Sequence, residues 1–246
     1  ISFPHSGTLL PEELRARLTP AALRLADTDW HVPRLYDCWR ELGATVLIAQ
    51  YSRYVVDLNR PADGAPLYPG QAETGVCPLR SFADEPLYRD GAAPTAQEIT
   101  TRLRDYWMPY HRKLGETIDA IRTQHGHCIL WDAHSIRARV PLFFDGRLPD
   151  LNVGTADGRS CSRVRAARVM QELEAGSRFS AVLNGRFKGG HITRHYGDPA
   201  RGVDAIQLEI AQDAYMHEDA PGQFDAARAA DLQAVLRGLL SAVLKV

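Results

Sequence analysis

Cys128-Ile129-Leu130-Trp131-Asp132-Ala133-His134-Ser135 is the stretch on which the fold reading turns. Four apolar residues in succession suit a strand covered on both faces, and the run gives way at once to Asp132, His134 and Ser135. In open α/β sheets ligands bind at the carboxyl ends of strands, so this pattern predicts a buried strand over 128–131 with a site just past its end. Upstream, Pro94-Thr95 opens the longest helical pattern, with Ile99, Leu103, Tyr106, Tyr110, Leu114, Ile118 and Ile121 three or four apart. Pro109 inside it predicts a kink or a break. Downstream, residues 136–159 read as loop, 160–174 as helix, and Phe179–Leu183 and Ala205–Ile210 as strands. Leu232, Leu236, Leu239, Leu240 and Val243 mark one face of a closing helix.

Toward the amino terminus, Ile1–Phe3 reads as the end of a first strand and Val32–Leu42 as a helix stopping at Gly43. Thr45–Ala49 reads as a second buried strand and Tyr54–Leu58 as a β-like run. Residues 61–93, rich in Pro, Gly and Asp, are too long for an ordinary connection and suit a functional loop or lid. Strands alternating with amphipathic helices describe an α/β protein, a sheet with helices on both faces. No internal repeat divides the chain, and at 246 residues one domain spanning 1–246 is expected.

Charge nearly cancels, with 29 Lys plus Arg against 30 Asp plus Glu, so the basic excess that binds phosphate backbones is missing and nucleic acid is not expected as a partner. Only Lys113, Lys188 and Lys245 among the basic residues are Lys; the rest are Arg, the side chain that grips carboxylates in a planar, bidentate way. Cys38, Cys77, Cys128 and Cys161 stand far apart without a Cys-x-x-Cys pair, as small buried groups in a reducing cytoplasm would. No apolar run reaches the length of a membrane span and no basic-then-apolar leader opens the chain, so a cytoplasmic protein with no membrane association is expected.

Polar residues that follow apolar runs are the candidates for chemistry. His5, in Pro4-His5-Ser6-Gly7, and His134 each follow a predicted strand and each precede a Ser. Each His alone is as well explained as a structural hydrogen-bonding residue; two so placed suit a metal site, since imidazole is a common zinc ligand and a catalytic site needs about three protein ligands. Asp27-Thr28-Asp29-Trp30-His31 offers three candidates for the third ligand, with helix capping as the plain alternative. Asp132 would orient a ligand or cap the strand end. Glu209 interrupts an apolar strand, where desolvation favours its protonated form and suits it to proton transfer. Arg53, Arg60, Arg186 and Arg194 gather near predicted strand ends, either as surface ion pairs or as anion grips. Taken together these residues describe a hydrolase for a small anionic amide.

The blocks PHSG, DTDWHVPRLYD, SRYVVDLNRP, DAHSI, GRLPDLN, NGRFKGGHITRHYG and QLEIAQ resemble the N-formylglutamate deformylase (N-formylglutamate amidohydrolase) family, in order and from His5 to Tyr215. The resemblance implies a mixed sheet flanked by helices, similar to the zinc carboxypeptidases and their phosphorylase/hydrolase-like fold. It also implies hydrolysis of N-formyl-L-glutamate to formate and L-glutamate in histidine degradation. The carboxypeptidase order of site residues implies that His5, Asp29 and His134 hold one divalent ion, Zn2+. It further implies Glu209 as general base, Arg53 as a donor to the oxyanion, and Asn59 and Arg60 as substrate grips, joined by Arg186 and Arg194. One departure stands out: Thr8 occupies the place, three residues after the first His, where carboxypeptidases have their acidic ligand, so Asp27 and His31 stay open as substitutes for Asp29. An enzyme acting on another N-acyl amino acid or on a peptidoglycan amide keeps the same chemistry, and a metal-free anion-binding protein is the alternative of a different class. The sequence leaves the oligomeric state open.

Overall fold

The computed structural model describes residues 1–67, 70, 72–175 and 178–245. Its strands are β1 (Ser2–Phe3), β2 (Leu47–Ile48), β3 (Cys128–Ile136), β4 (Leu151–Gly154), β5 (Ala181–Leu183) and β6 (Val203–Ala211), forming one mixed sheet in the order β2-β1-β3-β6-β4-β5. β3 and β6 are parallel from Cys128↔Val203 to Ile136↔Ala211, β1 and β2 run with them, and β4 is antiparallel to β6. The helices are α1 (Glu12–Arg17), α2 (Val32–Leu35), α3 (Ala96–Arg102), α4 (Met108–His125), α5 (Arg163–Glu174), α6 (His191–Tyr196) and α7 (Ala226–Val243). None of the described helices is long and apolar enough to cross a membrane.

Alternation along the two long strands sorts their side chains onto two faces. One face carries Trp131, Ala133, Ile206, Leu208 and Ile210, packed against Val32 and Leu35 of α2, Val169 and Leu173 of α5, and Leu232 and Leu236 of α7. The other begins apolar, with Cys128, Leu130, Val203 and Ala205 against Tyr110, Leu114 and Ile118 of α4 and Ile192 of α6. Further along the same face the residues become Asp132 and His134 on β3 and Gln207 and Glu209 on β6, all buried. Helices thus flank both faces, and the carboxyl half of one face is polar although it is buried.

Several elements differ from the sequence reading. β3 runs on to Ile136 because β6 continues beside it, so His134 lies inside the strand rather than past it. The long helix is not broken at Pro109: a π-helical turn over Leu103–Trp107 joins α3 to α4, and this wider turn accommodates a residue that has no N–H and whose ring crowds the carbonyl four residues back. The helix expected over Val32–Leu42 ends at Leu35, since Tyr36 leaves helical geometry to bury its ring against Phe3 and accept the Trp131 indole N–H at 2.9 Å. The strand expected over Thr45–Ala49 is a two-residue edge strand, with Ile48 42% exposed. Tyr54–Leu58 is buried but forms turns; side chains take the place of ladder partners, with Arg102 donating to the Val55 carbonyl and His111 Nε2 to that of Leu58. The loop expected over 136–159 contains β4.

Candidate active site

Three segments that are distant in the chain bring His5, Asp29 and His134 together. His5 follows β1 by two residues, His134 projects from β3, and Asp29 is drawn in by its backbone N–H, which donates to the His5 carbonyl at 3.0 Å. Asp29 Oδ2 lies 3.1 Å from His134 Nδ1 and 3.8 Å from His5 Nδ1. All three side chains are buried, and their candidate ligand atoms fall within 4.8 Å of one another. The two other candidates for the acidic place are engaged elsewhere. Asp27 accepts the Phe82 N–H at 3.0 Å, with burial pushing its carboxyl up to about 6, and the His31 ring bonds the Pro221 carbonyl at 2.8 Å.

The outer nitrogens of both imidazoles face carboxylates: His5 Nε2 lies 2.7 Å from Asp57 Oδ1 and His134 Nε2 lies 3.0 Å from Asp132 Oδ2. At His5 the carboxylate only accepts, so it draws the ring proton to Nε2 and turns the Nδ1 lone pair inward; at His134 both Asp132 and the Asn59 NH2 meet Nε2, and Nδ1 faces Asp29. Deprotonated, the inward Nδ1 atoms and Asp29 Oδ2 can all donate electron pairs to a cation, and two imidazoles with one carboxylate are the donor set of a zinc site. The residues therefore fit a divalent ion. Without one, a proton is held there: burial opposes charge on His134, yet Asp132 and Asp29 raise its pKa well above the ordinary range. His5 moves the other way, lowered by burial and by Arg53.

Glu209 stands opposite His134 in the β3–β6 register and opposite Asn152 across β4. Burial pushes its carboxyl up to about 8. Asp57, fully buried, joins three parts of the site: its Oδ1 also accepts the Asn59 N–H at 2.9 Å, and its Oδ2 accepts Arg53 Nη2 at 2.6 Å. Arg53 packs over the Phe82 ring at 4.6 Å.

These groups open on a cleft lined by His5, Arg53, Asn59, Arg60, His134, Arg186, Gln207 and Glu209, with Phe82, Phe143 and Phe187 as an apolar wall. Arg60 donates through Nε to the Thr74 carbonyl at 2.8 Å and Arg186 to that of Phe143 at 2.8 Å, so loops fix both guanidiniums at the cleft edge. Ala72 and Glu73, from the 61–93 segment, reach the rim. Two predicted grips are placed differently from the sequence reading. Asn59 has its amide engaged within the protein: Oδ1 accepts the Ile192 N–H at 2.8 Å, while Nδ2 lies 3.0 Å from His134 Nε2 and 3.4 Å from Asp132 Oδ2. Arg194, on α6, donates to the Gly189 carbonyl at 2.7 Å and is not among the residues lining the cleft.

Sequence reading missed Asp57, Gln207 and the aromatic wall. Gln207 was accessible to it, because a residue two before Glu209 in a strand shares its face. Asp57 was hidden in a segment taken for a strand.

An α/β sheet that gathers imidazoles, carboxylates and guanidiniums in one cleft at the carboxyl ends of its parallel strands belongs to the class of hydrolases for small anions. Comparison with known proteins makes the class specific: the model of the N-formylglutamate amidohydrolase family matches residues 1–216, and the chain belongs to that family. It is 53% identical to the N-formylglutamate deformylase of Pseudomonas aeruginosa over 244 residues, covering 99% of this chain and 91% of that protein. Identity to the N-formylglutamate deformylase of Pseudomonas putida is 50%, with the same coverage. The crystal structure of N-formylglutamate amidohydrolase from Ralstonia eutropha JMP134 superposes with a TM-score of 0.82 at 27% identity, covering 99% of this chain and 93% of that one.

Proposed function

We propose that this chain hydrolyses N-formyl-L-glutamate to formate and L-glutamate, a step of histidine degradation in the cytoplasm, with one zinc ion held by His5, Asp29 and His134. The observation that carries this reading is the inward-facing donor triad, whose outer ring nitrogens meet Asp57 and Asp132, beside Glu209 in a cleft lined by three Arg. Zinc bound there supplies a Lewis acid and lowers the pKa of water toward neutrality. Glu209 takes a proton from the attacking water on its carboxylate and delivers it to the departing nitrogen, because an amide anion leaves only once protonated. Burial, which raises this carboxyl, favours its holding that proton between the two transfers. Arg53, immobilised by Asp57, is a fixed donor where negative charge develops on the formyl oxygen. Arg60 and Arg186 grip the two carboxylates of the substrate, and Asn59 orients His134 instead of touching substrate.

Elemental analysis of the purified protein tests the metal, with about one zinc per chain expected and a large loss in His134→Ala. Turnover of N-formyl-glutamate well above N-acetyl-glutamate, N-formyl-aspartate and N-formyl-glutamine tests the substrate. Full metal content and activity in His134→Ala would overturn the metal assignment; equal turnover of the acetyl compound would overturn the substrate.

A further inference from the structure

Gln207 lies on β6 one strand repeat before Glu209, on the same face, between Asp132 of β3 and Gly154 of β4 in the register. It is 3% exposed and still lines the cleft. The Gly190 N–H donates to its Oε1 at 2.7 Å, which fixes the amide plane and identifies the other terminal atom as Nε2. Among the described residues no protein acceptor meets that Nε2, and it is not one of the side-chain atoms that are buried without a partner, so its N–H groups face the cleft. A locked amide with unspent donors on a cleft floor is built to receive an oxygen from something that enters.

The spacing selects which oxygen. Gln and Glu have side chains of equal length, so along one strand face their ends stand about 6.6 Å apart, two residues at about 3.3 Å each. In an N-formyl amino acid the α-carboxylate carbon is three bonds from the formyl carbon, at most about 3.8 Å. The side-chain carboxylate of glutamate is five bonds away, about 6 Å when extended. With Glu209 at the scissile amide, the extended distal carboxylate matches the separation to Gln207 more closely than the α-carboxylate does. We infer that Gln207 is a specificity residue, donating from Nε2 to the distal carboxylate of the substrate and measuring its chain length. This inference rests on the N-formylglutamate reading of the same cleft.

The test compares N-formyl-glutamate with N-formyl-norvaline, which lacks the distal carboxylate, on the zinc-loaded wild type, Gln207→Leu and Gln207→Glu. Gln207→Glu keeps an oxygen acceptor for the Gly190 N–H and the original side-chain shape, so it separates loss of the donor from loss of folding. The expected result is that the ratio of kcat/KM for the dicarboxylate over the norvaline compound falls about 10- to 100-fold in Gln207→Leu, as loss of a hydrogen bond to a charged group implies. It falls further in Gln207→Glu, where like charges meet. The loss enters through KM, and isothermal titration with L-glutamate weakens in parallel. An unchanged ratio in a folded Gln207→Glu overturns the role of Gln207 while leaving the deformylase reading intact. A wild type inactive on N-formyl-glutamate overturns that reading itself.

Discussion

Asp57→Asn tests how the site is held together, because this single carboxylate serves three partners that one amide cannot serve. Asp57 Oδ1 accepts from His5 Nε2 at 2.7 Å and from the Asn59 N–H at 2.9 Å, while Oδ2 accepts from Arg53 at 2.6 Å. An Asn with its oxygen kept toward His5 turns an NH2 on the Arg53 guanidinium, donor against donor, beside a cation left without its partner in the interior. The flipped amide turns its NH2 on His5 Nε2 instead. The imidazole must then accept there and carry its proton on Nδ1, which removes the lone pair directed at Asp29. Removing one member of a buried ion pair costs about 3–5 kcal/mol, and with Tm moving about 2–4 °C per kcal/mol at this chain length, the fall is roughly 6–20 °C. Loss of an outer partner of a ligating His lowers metal affinity by about 10–100-fold. Thermal denaturation and zinc titration in a competing chelator measure the two effects separately. An Asp57→Asn protein with wild-type Tm and wild-type zinc affinity would show that Asp57 neither orients His5 nor balances Arg53.

Three further outcomes follow from the same coordinates. Glu209→Gln keeps shape and loses proton transfer, so kcat should fall about 10²–10⁴-fold with zinc content unchanged; near-normal turnover would move the base elsewhere. His111, buried beneath Trp107, is lowered to about 4 by desolvation. Its folded pKa lies below its unfolded value near 6.5, so the stability it contributes is full above pH 6.5 and is lost as pH falls toward 4, about 3 kcal/mol in all. Urea denaturation across that window should show one proton less of pH dependence in His111→Gln, and an unchanged slope would refute the assignment. Gly190→Ala places a Cβ 2.4 Å from Asn59 Nδ2, an amide already bonded on both sides, so a loss of about 1–3 kcal/mol and a drop in activity are expected; a wild-type Tm would show that Asn59 has room to move.

The layered α/β architecture was legible because it rests on long periodic segments, and periodicity survives local exceptions. β3, β6, α4 and α7 carry it, and two candidate site residues on them were found against it, His134 just after an apolar run and Glu209 as a polar interruption of one. What failed was reading pairing from side chains alone. Tyr54–Leu58 is as apolar as a strand, yet its carbonyls are met by Arg102 and His111 from α3 and α4, partners some fifty residues away that no local pattern reports. β4 was missed for the converse reason: Asn152 and Gly154 face the polar side of the sheet, beside Glu209 and Gln207, so a fully buried strand reads as a loop. Asn59 and Arg194 suit anions by residue type, and the hydrogen bonds each makes inside the protein could be seen only after folding.

Charge balance explains why so many acids can sit together in this interior. Asp29, Asp57, Asp132 and Glu209 are each 8% exposed or less, and Arg53 is the one fixed cation directly paired with any of them among the described residues. If the two imidazoles are neutral, as ligation of a cation requires, four formal negative charges face a single positive one. Buried charges at that imbalance are expensive unless they are neutralised. A divalent ion at His5, Asp29 and His134 would offset two of the three uncompensated charges, and a proton on Glu209, whose carboxyl burial pushes upward, would offset the third. The proposed ion and the proposed proton carrier would therefore be parts of one electrostatic solution, the ion offsetting two of these charges and the proton on Glu209 the third.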